Sequence, residues 1–244
     1  MGVASSASSA VPKRNLHGEV PVTIDEILAV VKTGDLLFFR GNSWTSWLQR
    51  LTLWSNYSHV GMVEWRVLPG HTHATACLWE SVGHLDAHQC VLHGRCKSGV
   101  RLVRLADRIA DYAAGTWDGE TPICLIHLHA RSAERRAEME QLMQKFISDA
   151  CGDSYSTHVL DMLRSQIPVV LGPAHMGHLA GYTCNQLVTA TLVRMRAYSI
   201  HTPVEKISLN GLMDGSLLEE WHEYGMLDQT NYHFIVRRGP ASFV

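Results

Sequence analysis

Tyr57-Ser58-His59-Val60-Gly61-Met62-Val63 opens a stretch, running to about residue 66, in which His59 stands directly ahead of the apolar run Val60 to Val63. Pro69-Gly70 follows, and a second apolar stretch near 76 to 82 ends in Leu78-Trp79-Glu80-Ser81-Val82. Two such runs flanking a Pro-Gly pair predict a hairpin, which puts His59 and Glu80 on neighbouring strands. Outward from it, Asp35-Leu36-Leu37-Phe38-Phe39-Arg40 reads as a buried strand. Val100-Arg101-Leu102-Val103 and Ile123-Cys124-Leu125-Ile126-His127-Leu128 continue the β signal, for at least five strands, and Phe234-Ile235-Val236 reads as a last one.

Helices fill the intervals. Thr23-Ile24-Asp25-Glu26 has capping-box spacing ahead of Ile27, Leu28, Val30 and Val31, and Thr33-Gly34 stops that short helix. Trp44, Trp47, Leu48, Leu51 and Trp54 share one helical face over 43–54. From a Ser132 cap, Met139, Leu142, Met143, Phe146, Ile147 and Ala150 form one apolar stripe, with Glu134, Arg135, Arg136 and Glu138 on the solvated side and Gly152 closing the helix. A further helix begins close to Cys184, with Leu187, Val188, Thr191, Leu192 and Met195 on one face. The whole predicts an α+β domain over 21–244, a mostly antiparallel sheet packed against helices. It is preceded by a flexible Ser/Ala-rich arm over 1–20.

Composition narrows the function. The chain has 244 residues, 46% hydrophobic and 18% charged, enough to bury one sizeable core. A formal charge of −2 with no long Lys/Arg run lacks the electrostatic footprint of a nucleic-acid binder. Six cysteines at irregular spacing, with no secretory apolar segment at the start, point to reduced thiols in a cytoplasmic setting. No apolar stretch reaches the length of about 18 residues that spans a bilayer. Met1-Gly2-Val3-Ala4-Ser5-Ser6 fits the N-myristoylation pattern at Gly2. One such chain, with only Lys13 and Arg14 to supplement it, gives weak and reversible association with a cytosolic membrane face.

Chemistry concentrates in three residues. Cys184 falls in the first turn of its helix, where unpaired N–H groups and the positive end of the dipole favour a thiolate. His59 is a candidate base, and Glu80 a candidate orienting acid. Each alone has an ordinary structural reading: a buried small thiol, a hydrogen-bonded core imidazole, an edge-strand carboxylate. Cys90-Val91-Leu92-His93-Gly94-Arg95-Cys96, with His71, His73, His84 and His88 nearby, gathers many metal-ligand types. No Cys-x-x-Cys pair occurs, so a polar loop is expected there, with no metal and no cofactor. Arg194, Arg196, Arg237 and Arg238 read as solvated charge.

Six blocks resemble, in chain order, those of the YiiX-like permuted papain-like amidases of the NlpC cysteine peptidase superfamily. They are Gly34-Asp35-Leu36-Leu37-Phe38, Tyr57-Ser58-His59-Val60-Gly61, Trp79-Glu80-Ser81, Gly99-Val100-Arg101-Leu102, Gly152-Asp153-Ser154-Tyr155 and Tyr182-Thr183-Cys184-Asn185-Gln186-Leu187-Val188. The resemblance implies a circularly permuted papain-like fold with nucleophile Cys184, base His59 and acid Glu80. It also implies hydrolysis or transfer at an amide, thioester or ester bond of a peptide or acyl lipid, through a thioester. Where the family block has Cys-Ser-Glu-Leu-Val, this chain has Asn185 and Gln186, which bears on substrate preference. The Cys184 backbone N–H is expected among the oxyanion donors, with Tyr57 and Asn185 as candidate side-chain contributors. The contrasting reading is a catalytically silent module on the same fold that binds an acyl chain, a peptide or a protein, tethered by myristate. A further alternative, a scaffold using the Trp44, Trp47 and Trp54 face for partners, requires those residues to be exposed.

Overall fold

The computed structural model describes residues 20–41, 55–83, 86–95, 98–115, 120–156, 181–202, 204, 207–214, 226–227 and 232–237. The helix expected over 43–54, Gly2, Lys13, Arg14, His84, Cys96 and Arg238 lie outside them. Within them a seven-stranded sheet runs in the order β1 (Val20–Val22), β9 (Tyr232–Arg237), β6 (Glu120–Ile126), β2 (Leu36–Phe39), β3 (His59–Val67), β4 (Ala74–Val82), β5 (Gly99–Arg104). Every pairing is antiparallel except β1 with β9. A separate pair joins β7 (Leu128–His129) to β8 (Met226–Leu227). The strand expected over 123–128 therefore divides at His127. Asp35 causes the break, because its carboxylate takes the Leu128 N–H at 3.0 Å and meets His127 Nδ1 at 2.8 Å.

Five helices accompany the sheet among the described residues. These are α1 (Ile24–Val30), α2 (Leu105–Ala114), α3 (Ala133–Ala150), α4 (Cys184–Arg194) and α5 (Leu209–Asp214). The capping box of α1 is formed as expected: Thr23 N–H donates to Glu26 Oε2 at 2.7 Å, and Glu26 N–H to Thr23 Oγ1 at 3.2 Å. Ser132 caps α3 by accepting the Arg135 N–H at 3.1 Å. The face of α3 expected to be solvated is half tethered instead. Arg136 donates to the carbonyls of Thr33 and Leu128, and Arg135 to that of Arg196 at 2.8 Å.

Both sheet faces are covered, which explains why Leu36-Leu37-Phe38-Phe39 shows no alternation. Leu36, Phe38, Met62, Trp79 and Leu102 point to a core completed by α3 and α4. Leu37, Phe39, Val63, Leu78 and Val103 point to the other, completed by Ile27 of α1 and Leu105 and Ile109 of α2. Each fully buried side chain of this size contributes roughly 1.5–3 kcal/mol. The hairpin needs glycine at 61, since a Cβ there would stand 2.7 Å from the Leu78 side chain.

Candidate active site

Cys184 is the first residue of α4, and three bonds fix where that helix begins. The Gln186 side chain accepts the Thr183 N–H at 3.0 Å, closing the N-terminus as a Glu would in a capping box. Ser81 of β4 donates to the Tyr182 carbonyl at 2.6 Å, just ahead of the helix. Trp79, on the same strand, donates its indole N–H to Thr191 Oγ1 at 3.1 Å, one face further along α4. Sheet strand and helix are thus registered on both sides of Cys184.

His59 and Glu80 project toward α2, the face opposite the α4 core. His59 pairs in register with Phe39, and its ring centroid lies 6.1 Å from that of Phe39 and 6.2 Å from that of Tyr112 in α2. Cys184 meets it around an open strand end. The β3–β4 pairing runs from Val67↔Ala74 to Met62↔Trp79 and stops three residues short of His59 and of Val82. Val63 donates its N–H across to Asp35 on the β2 side, and amide direction alternates along a strand, so the Val60 N–H faces the side that β4 has left. That N–H and the one of Asn185 are directed at the Cys184 sulfur, which lies within hydrogen-bonding reach of His59.

The electrostatics follow from these contacts. Burial disfavours a charge on Cys184, yet the hydrogen bond and charge of His59, with the two N–H groups, hold its thiol below the ordinary range. Burial likewise disfavours imidazolium at His59, but Cys184 and Glu80 outweigh it and lift His59 to about 8. Its Nε2 is 2.8 Å from Glu80 Oε2.

Glu80 is fully buried and saturated with donors. Arg101 of β5 donates to Oε1 through Nε and a terminal nitrogen at 3.0 and 2.8 Å, while Arg108 of α2 donates from Nε to Oε2 at 3.0 Å. Asp86 binds both arginines from behind, at 2.6 Å to Arg101 Nη1 and 3.0 Å to Arg108 Nη1. Burial raises the cost of charge on Glu80, and Arg108, His59 and Arg101 together overcome it, holding the carboxyl far below the ordinary carboxylate range. Arg108, Asp86 and Tyr112 escaped the reading of the sequence. Arg101 carried a signal, a charge alternating with Val100 and Leu102 inside a strand.

The candidate oxyanion side chains have other partners. Tyr57 is buried against Phe38, ring centroids 6.1 Å apart, and its hydroxyl lies 2.8 Å from His233 Nδ1. Asn185 Nδ2 donates to the Ile207 carbonyl at 2.5 Å, and its Oδ1 accepts from Thr183 Oγ1 at 2.7 Å. Of the ligand-type residues around the polar loop, His71 faces Arg104 at 3.5 Å, His88 faces Asp111 at 3.3 Å, and Cys90 faces Cys151. No group of three metal-ligating side chains forms among the described residues. No helix there is long and apolar enough to cross a membrane.

No family model matches the chain, and no curated protein matches it. Among solved structures it is similar to the crystal structure of metalloprotein yiiX from Escherichia coli O157:H7, DUF1105. Identity is 15%, with 86% of this chain and 98% of that one covered and a TM-score of 0.39. A likeness this distant assigns neither fold family nor activity, so the case for function rests on the site itself. There, a thiol at a helix N-terminus, an imidazole and a doubly clamped carboxylate meet in that order.

Proposed function

We propose that the protein is a cysteine-nucleophile hydrolase or acyltransferase of the permuted papain-like, YiiX-like kind, acting on an amide, thioester or ester bond. The observation that carries this reading is His59 held between Glu80 and Cys184, with the thiol in the first turn of α4.

Because Glu80 is ionised and engages Nε2, the proton of a neutral His59 resides on Nε2 and Nδ1 is left to accept the Cys184 proton. The resulting thiolate attacks the substrate carbonyl, and the negative oxygen is stabilised by the Cys184 backbone N–H at the start of α4. Imidazolium then protonates the leaving group as the carbonyl re-forms, giving a thioester on Cys184. Water or another acceptor, deprotonated by His59, resolves it and regenerates the thiol. If Gly2 is acylated, the substrate is encountered near a membrane surface.

The test is the pH dependence of Cys184 alkylation by iodoacetamide, with the site read by mass spectrometry, in wild type, His59→Ala and Glu80→Gln. The proposal expects a Cys184 thiolate titrating below the ordinary value of about 8.5 and lost in His59→Ala. A Cys184 that reacts no faster than buried Cys77 or Cys124, with no effect of His59, overturns it.

A further inference from the structure

A second pair of thiols lies apart from the site at Cys184. Cys90 Sγ and Cys151 Sγ are 3.4 Å apart, although 61 residues separate them in the chain. Both are pinned to the same strand. Val91 donates its N–H to the Leu102 carbonyl at 2.8 Å, and Gly152 donates to the Val100 carbonyl at 2.9 Å. A tight turn holds Cys90 from the other side: its N–H donates to the Arg95 carbonyl at 3.0 Å, and its carbonyl accepts the Gly94 N–H at 2.7 Å. Cys151 is the cap that ends α3, with its N–H on the Ile147 carbonyl at 3.0 Å. The two sulfurs therefore face each other by construction of β5, and a bond of about 2.05 Å requires them to approach by only about 1.4 Å.

A cavity of about 360 Å³ opens beside them, lined by both cysteines together with His93, Arg95 and Arg101, and gives a small oxidant access. We propose that Cys90 and Cys151 form a thiol–disulfide site that a hydroperoxide oxidises, fastening the 86–95 segment to the end of α3. Cys90 is the attacking sulfur. The hydrogen bond shared with Cys151, joined by the backbone N–H groups of Leu102, Leu92 and His93 directed at the Cys90 sulfur, outweighs the cost of burial and brings its pKa down to about 5. The Cys90 thiolate attacks one peroxide oxygen, the O–O bond breaks, and the other oxygen leaves as alcohol or water after taking a proton. Cys90 is then a sulfenic acid, and the Cys151 sulfur displaces its hydroxyl as water. Two electrons pass from the thiols to the peroxide.

The bond has a structural consequence. Asp86, which binds Arg101 and Arg108 behind Glu80, belongs to the segment that the disulfide fastens. Oxidation thus immobilises the outer end of the carboxylate clamp while leaving its contacts intact. The inference stands independently of the reaction proposed for Cys184.

The test uses the reduced full-length chain treated with one to ten equivalents of hydrogen peroxide, blocked with N-ethylmaleimide, digested without reductant and analysed by mass spectrometry. The expected product joins the Cys90 and Cys151 peptides, is two hydrogens lighter than their sum, and disappears with dithiothreitol. The oxidised chain should melt several degrees higher, because closing a loop of this length restricts the unfolded chain. In Cys151→Ser, Cys90 should stop at a sulfenic acid trapped by dimedone. In Cys90→Ser, Cys151 should remain open to maleimide. Circular dichroism on both variants separates loss of the pair from loss of the fold. Two free thiols after peroxide, or a bridge from Cys90 to any other cysteine, overturns the proposal.

Discussion

Glu80 has twice the cationic company that an orienting carboxylate requires, and this sets how strongly it can act on His59. Removing one arginine leaves more of its negative charge uncompensated and removes a positive charge near the ring. In Arg108→Met the His59 pKa should therefore rise above its value of about 8, moving the upper limb of the alkylation profile upward. The same substitution should lower stability by about 3–5 kcal/mol, since a buried ion network loses a partner. An unmoved upper limb would mean that Arg108 only braces the fold. His59 and Glu80 were legible as ionisable residues set in strand-forming runs, and Cys184 as a thiol at the start of a helix. Arg108 was not, because its partners come from β4 and the 86–95 segment, and no local pattern announces a pairing made across the fold.

Elements were readable where a local rule acts. The caps at Thr23 and Ser132 and the stripe of α3 set α1 and α3 within a residue or two of expectation, as did the Pro-Gly turn for β3 and β4. Helix α2 was missed although Leu105, Ile109, Tyr112 and Ala113 fall at i, i+4, i+7 and i+8 on one face. Arg104 gives it no side-chain cap to announce its start, and the buried Arg108 interrupts the apolar stripe. For α4, the departure at Gln186 from the family block has a structural meaning, since the residue is buried and satisfies the Thr183 N–H. Gln186→Ala should cost about 1–3 kcal/mol by leaving that donor unpaired. It should also raise the pH at which Cys184 becomes reactive, as the frayed first turn loses its ordered N–H groups. Thermal melts and the alkylation profile read the two effects separately. Gly61→Ala tests the hairpin: the added Cβ collides with Leu78, and a loss of about 1–3 kcal/mol should appear in urea melts.

At the scale of the whole molecule, β1 near the start of the chain and β9 near its end share one edge of the sheet, while the carboxylate clamp joins β4, β5 and α2 near the other. Neither long-range pairing had a local sequence signature, because register between distant strands is decided by burial on both faces. The clamp makes folding depend on acidity in a direction that its groups fix. Glu80 and Asp86 have carboxyls depressed in the folded chain, so their stabilisation is complete above the ordinary range near 4.5 and is lost as pH falls from there toward their folded values. Buried Glu64 opposes this. Desolvation outweighs Arg66 and raises its pKa, so its contribution grows as pH falls, but it is one group against two. His59, raised to about 8, adds stability that is complete below 6.5 and fades as pH climbs through 8. The lowered thiols of Cys90 and Cys184 act in the opposite sense over that climb, so the acid side is the diagnostic one: the urea midpoint should fall as pH drops below about 4.5, with an acid limb worth at least about 2 kcal/mol. Glu80→Gln lowers the midpoint throughout but should flatten that limb, because the amide takes up no proton. A limb as steep in Glu80→Gln as in the wild type would place the acid sensitivity of the fold outside the clamp.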